Sequence, residues 1–218
     1  MIAWLSLPFA YLLGSIPSGL LIVRIATGKD VRTIESGRTG GTNAMRAAGA
    51  FAGLLTAVMD TLKGAAAVWV GQALAANHDW IMAASGLLAI IGHNYSAFLV
   101  QKNEKGRLQF SGGAGGATTL GVAIGLWLNS WMIILPLATL VYVLVGYASL
   151  TTISIALSAL GIFTIRAANG NNPWYYAITV AAALITVTLA LLPNLKRLLA
   201  GTERRVDLIA RLFKKRKS

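Results

Sequence analysis

Cysteine is absent from this 218-residue chain, which excludes a disulfide scaffold, a thiolate nucleophile and any Cys-ligated metal. Histidine occurs only as His78 and His93, too far apart in the order of segments to suggest a metal cluster. Charge is also scarce: 12% of residues are Asp, Glu, Lys or Arg, against about 25% in a soluble domain. Such a deficit cannot cover a water-facing surface. With 56% hydrophobic residues and a mean hydropathy of +0.67, the exterior is expected to lie in lipid. The first apolar segment, opening Met1-Ile2-Ala3-Trp4, lacks the basic n-region of a cleaved signal peptide and is expected to be retained. A serine-hydrolase elbow is missing, and so is a His-x4-Asp dyad, since the fifth residue after His93 is Phe98.

What is present is a series of apolar blocks near 2–26, 51–75, 80–100, 115–128, 131–148, 152–168 and 174–193. A hydrocarbon core of about 30 Å takes about 20 helical residues, fewer where a helix is broken or partly covered. The blocks predict an all-α integral membrane protein with about seven transmembrane helices; six remain possible if 115–148 is one bent helix. Basic residues concentrate in 24–46, 102–107 and 196–217, which hold 17 of the 19. With seven spans these segments share a side, and the positive-inside rule makes it cytoplasmic, with the N-terminus external. Trp4, Trp80, Trp131 and Trp174 then fall at outer span ends, where interfacial aromatics belong. Residues 1–203 read as the polytopic domain and 204–218 as a basic amphipathic tail. The net charge of +12 is therefore assigned to anionic membrane lipids, not nucleic acid.

Two loops carry the chemical signal. In Ser36-Gly37-Arg38-Thr39-Gly40-Gly41-Thr42-Asn43-Ala44-Met45-Arg46, small residues free backbone N–H groups for a ligand. Ser36, Thr42 and Asn43 add hydrogen bonds there, and Arg38 and Arg46 add fixed positive charge. Ser111-Gly112-Gly113-Ala114-Gly115-Gly116-Ala117-Thr118-Thr119 feeds the fourth apolar block, either as a second phosphate cradle or as a GxxxG packing stripe. Asp60 and Lys63, at i and i+3 inside the second block, are spaced to pair as a site or as a structural ion pair. His93 is a candidate base or a packing hydrogen bond. Gly14-Ser15-Ile16-Pro17-Ser18-Gly19 interrupts the first block, with packing the simpler explanation.

Taken in order, these pieces resemble the bacterial membrane glycerol-3-phosphate acyltransferases that use acyl phosphate as donor (the PlsY family). The matching residues are Gly14 to Gly19, Asp30-Val31-Arg32, the Ser36 to Gly49 loop and Asp60-Thr61-Leu62-Lys63-Gly64. Gly92-His93-Asn94, Phe110 to Thr118 and Asn194 to Glu203 complete the set, so the resemblance covers nearly the whole chain. It implies seven spans in the bacterial inner membrane, an active site facing the cytoplasm and no cofactor. It also implies transfer of an acyl group from acyl phosphate to the 1-hydroxyl of glycerol 3-phosphate, in phospholipid biosynthesis. In that reading Ser36, Arg46 and His93 are catalytic. Gly37, Arg38, Gly40, Thr42, Asn43, Gly112, Gly113, Gly115 and Asn194 bind substrate, and no residue holds a metal.

The departures are also legible. The family usually reads Lys-Gly-Gly-Lys-Gly where this chain has Ser111 to Gly115, so both lysines are gone and Arg38 is the candidate to replace the one at Ala114. Arg38 itself and Gly41 depart from the family pattern, Leu191 stands where a tail histidine is expected, and Lys102 to Arg107 is an extra basic stretch. Two other readings stay open: a divergent paralogue with another acceptor or no catalysis, and a small-anion carrier.

Overall fold

The computed structural model describes residues 2–75, 78–102 and 106–206 of the chain. The described residues are mostly helical: α1 Ile2–Ser15, α2 Ser18–Thr27, α3 Gly41–Ala48, α4 Ala50–Leu74, α5 Asp79–Asn94, α6 Gly116–Leu126, α7 Trp131–Leu144, α8 Ala148–Ala168 and α9 Trp174–Leu199. A two-stranded antiparallel hairpin, β1 Gln101–Lys102 and β2 Leu108–Gln109, leaves the bundle between α5 and α6. Five stretches are long and apolar enough to cross a membrane: Ala3–Thr27, Ala50–Leu74, Asp79–Leu99, Ala148–Ala168 and Trp174–Leu199. Residues 115–148 form two separate short apolar helices, not one bent helix, because a 3-10 turn at Leu128–Ser130 divides them. Large apolar side chains such as Met132, Ile133, Leu137 and Leu140 on α7 face outward, as lipid-covered residues do.

The first apolar block is broken at Pro17, which has no N–H to continue the ladder, whereas Pro8, Pro136 and Pro193 are carried inside α1, α7 and α9. The carbonyls freed at the break find partners on other elements. Ser96 Oγ donates to Ser15 O at 2.6 Å, and Lys63 Nζ donates to Ile16 O at 2.7 Å. Irregular backbone at membrane depth persists where protein satisfies it in this way.

The main core joins α4, α5, α6, α8 and α9 through Val68, Ile90, Val122, Phe163, Val180 and Val187. A close approach brings α4 and α6 together: a Cβ on Gly64 would run into Thr118 O, and one on Gly121 into Thr61 O. A smaller cluster, Leu20, Val23, Val31, Ala44 and Leu99, packs the loop before α3 against α2 and the end of α5. At one end of the bundle Trp4 and Trp80 meet edge-to-face, with ring centroids 5.1 Å apart, while the Arg166 guanidinium lies 4.1 Å over Trp127. The expected amphipathic tail lies mostly outside the described residues; 204–206 run as non-helical chain.

Candidate active site

A cavity of about 680 Å³ opens at the end of the bundle where the two glycine-rich loops meet. Its wall includes Ser36, Arg38, Gly40, Thr42, Asn43 and Arg46 from the first loop, with Gly115, His93 and Asn194 from other elements. These nine candidates are thus brought together. Gly37, Gly112 and Gly113 are not in the wall. Gly37 closes a turn through its N–H to Ile34 O at 2.9 Å, and Gly112 O accepts from Thr39 N at 3.2 Å. Gly113 N donates to His93 O at 2.9 Å, and a Cβ at this position would collide with His93 Nε2. Glycine is needed there for close approach. The packing-stripe reading of Gly112 and Gly116 does not describe the backbone, since Gly112 lies in the turn before α6 and not on a helix.

Gly115, at φ +89°, turns the chain into α6, and Gly115, Gly116 and Ala117 all line the cavity. The first-turn amides of a helix lack intrahelical partners and favour anions. The α3 N-terminus contributes Gly40, Gly41 and Thr42 to the same wall. Asn43 is 3% exposed, and its Nδ2 donates to Val31 O, Ile34 O and Arg38 O at 2.8–2.9 Å. The Asn43 amide nitrogen thereby holds the shape of the loop.

Arg38 ties three elements together. It donates to Asn194 Oδ1 at 3.3 Å, to Gly113 O at 2.9 Å and to Ala190 O. All three acceptors are neutral, so its hydrogen bonds are satisfied while its charge is not balanced. Burial pulls the guanidinium below arginine's usual range and the nearby Arg197 cation pushes the same way, yet an arginine remains charged in proteins. Arg46 and Arg197 also line the cavity and pair with no carboxylate among the described residues. Arg38, Arg46 and Arg197 around one space, none of them paired with a carboxylate among the described residues, make a field suited to phosphate, while Arg204, the fourth arginine of the wall, pairs with Glu35.

His93, 5% exposed, sits between the glycine turn and the intramembrane pair, with Nδ1 3.6 Å from Asp60 Oδ1. The Asp60–Lys63 pair forms as its spacing suggested, at 2.9 Å.

Arg197 of the wall was not among the sequence candidates, and neither were Glu203 and Ser149. Glu203 spans Ser149 Oγ at 2.9 Å and Asn194 Nδ2 at 3.1 Å, so one carboxylate fixes both side chains. The signal for Glu203 was available, since it is among only seven acidic residues and follows Asn194 closely. Ser149 was hidden at the faintest break, where Gly146 at φ +78° separates α7 from α8. The cavity wall also has apolar members, Leu54, Ala57, Leu120, Leu135, Ala138 and Ile155.

Fold and site together define a polytopic membrane protein whose cavity is lined by cations, backbone amides and apolar side chains. The chain belongs to the glycerol-3-phosphate acyltransferase family, whose model matches residues 4–201. A glycerol-3-phosphate acyltransferase 2 from Moorella thermoacetica is 38% identical over 204 residues, covering 93% of this chain and 96% of that protein. The crystal structure of PlsY (YgiH), an integral membrane glycerol 3-phosphate acyltransferase, in its glycerol 3-phosphate form superposes with a TM-score of 0.82 at 29% identity. Its lysophosphatidic acid form gives 0.80 at 28%; each comparison covers 97% of this chain and 98% of the other.

Proposed function

We propose that this protein acylates the 1-hydroxyl of glycerol 3-phosphate with acyl phosphate as donor, forming lysophosphatidic acid and inorganic phosphate. The observation that carries this reading is one cavity lined both by Arg38, Arg46 and Arg197 and by Leu54, Leu120 and Leu135. The cations suit a phosphorylated acceptor and the apolar side chains suit an acyl chain. In the reaction the acceptor hydroxyl oxygen bonds the acyl carbon, the acyl–phosphate C–O bond breaks, and the hydroxyl proton leaves on the phosphate. Acyl phosphate is already activated, so neither thiolate nor metal is required. The work left to the protein is to position two anions and stabilise the developing oxyanion.

In this reading Arg46 holds phosphate, and Ser36 hydrogen-bonds the acceptor or aligns its hydroxyl. The amides at the start of α6 face the charge that develops on the acyl oxygen or the leaving group. Asn194, fixed by Glu203, supports Arg38. His93 orients the glycine turn from behind and offers an imidazole at the wall. The membrane crossing proposed is seven-fold, with α6 and α7 as the short members, in a bacterial inner membrane with the cavity on the cytoplasmic side.

The test is an assay of purified protein with acyl phosphate and labelled glycerol 3-phosphate. Lysophosphatidate and inorganic phosphate should appear in equal amounts, and neither should form when one substrate is omitted. Binding of glycerol 3-phosphate without product would instead indicate a divergent acceptor, and counterflow of phosphate esters in liposomes would indicate a carrier.

A further inference from the structure

Residues 202–206 run from the cavity wall to the turn between α7 and α8 as a strap. Thr202, Glu203 and Arg204 belong to that wall, and Val206 N donates to Gly146 O at 2.7 Å, anchoring the strap's far end to the turn between α7 and α8. The turn 34–37, closed by the Gly37 N–H to Ile34 O, puts Glu35 and Ser36 in the same cavity wall. The strap and the turn meet in an ion pair between Arg204 Nη1 and Glu35 Oε1. Both side chains are in the cavity wall, yet neither is buried: 69% of the Arg204 side chain and 31% of the Glu35 side chain are exposed.

Glu35 is also the one non-glycine residue at positive φ among the described residues, at +47°. A long acidic residue is a poor choice for that left-handed conformation, which glycine adopts freely. An outlier of this kind persists when its surroundings over-determine it. The pairing with Arg204 is such a constraint, and the residue it places is the next one, Ser36.

We propose that Glu35 and Arg204 form a charge latch that holds the strap against the Ser36 turn, setting the width of the cavity mouth and the position of Ser36. The latch acts through Ser36 and the strap, so both partners are positioning residues. It also balances the acid at the mouth, where both substrates are anions. Its effect on turnover rests on the acyl-transfer reading above; its effect on the mouth does not.

Two measurements on the full-length protein test it. Because the chain lacks cysteine, Ala117→Cys supplies a single thiol in the cavity wall, and its reaction with a neutral maleimide reports on access. Glu35→Gln and Arg204→Gln should each speed labelling by about two- to fivefold, the range expected when an exposed ion pair is lost. The Gln/Gln double variant should be no faster than either single one, since partners in one interaction are not additive. Salt at about 1 M, where the screening length falls to about 3 Å, should speed labelling of the parent and leave the variants nearly unchanged.

In the acylation assay without the added cysteine, both single variants should raise KM for glycerol 3-phosphate in the same direction, with kcat changed by less than about twofold. A field effect alone would move KM in opposite directions, because one substitution removes negative charge and the other removes positive charge. Unchanged labelling in both single variants, or additive effects in the double, overturns the latch. Opposite KM shifts overturn its positioning role. If the parent protein makes no lysophosphatidate, the acyl-transfer reading fails while the labelling series still decides on the latch. Thermal unfolding of each variant in detergent separates a moved strap from a misfolded bundle.

Discussion

Arg38 shows how one side chain can be both a strut and a source of charge. Its guanidinium reaches Gly113 O, next to Ala114, so positions 38 and 114 face the same end of the cavity from different loops. If Arg38 stands in for a lysine at 114, Arg38→Asn should lower kcat/KM by about 10- to 100-fold, the range for one lost charge-assisted contact. Adding Ala114→Lys to that variant should recover part of the loss. It returns the charge but not the ties to Asn194 and Ala190. An assay in which Arg38→Asn matches the parent, while Ala114→Lys alone raises activity, would instead mean that the natural chain lacks a phosphate clamp. At this scale the loop was legible because glycine, hydroxyl and arginine residues stand out in an apolar chain. Which of its groups turn inward was not. Asn43 looks like a ligand in sequence, but its amide nitrogen is engaged by Val31, Ile34 and Arg38 carbonyls that only the folded loop brings near.

At the scale of helices, Lys63 connects two features that are separate in sequence. It pairs with Asp60 one turn away on α4 and also donates to Ile16 O at the break between α1 and α2. Lys63→Met would leave a buried carboxylate uncompensated and a carbonyl at membrane depth without its donor. Removing one member of a buried pair costs about 3–5 kcal/mol. The variant should therefore unfold at a clearly lower temperature in detergent, and Asp60→Asn in the same chain should restore part of the loss. A Lys63→Met protein as heat-resistant as the parent would confine the pair to a role outside stability. The i, i+3 spacing made this pair readable in advance, whereas the contact with Ile16 depends on packing between α4 and the broken first block. Helix ends followed the same rule. Those marked by Pro17 or by the Asn171-Asn172-Pro173 run were plain in sequence, while the α7–α8 junction rests on Gly146 and was faint.

For the whole molecule, the basic-residue bias predicts a topology that reporters can read. A fusion after Ser218 should report from the cytoplasm and one before Met1 from outside; both on one side would rule out an odd number of crossings. The existence of the apolar blocks was legible because lipid imposes one length and one composition on each. The cavity was not legible, because it is assembled from the loop before α3, from α3 to α9 and from the strap, and no local pattern encodes which of these meet.

The apolar part of that cavity wall has a further consequence. Leu54 and Leu135 line the space and are 64% and 45% exposed. Were that exposure on the lipid side, the wall would be a side window, and in the proposed reaction the long-chain donor would arrive from within the bilayer, not from water. Its effective concentration is then its mole fraction among the surrounding amphiphiles. Adding inert detergent at constant total donor should slow the reaction in proportion to the dilution of the micellar phase, while the half-saturating level of water-soluble glycerol 3-phosphate stays where it was. A rate indifferent to added micelles would show that the window is closed to lipid and that the donor comes from solution.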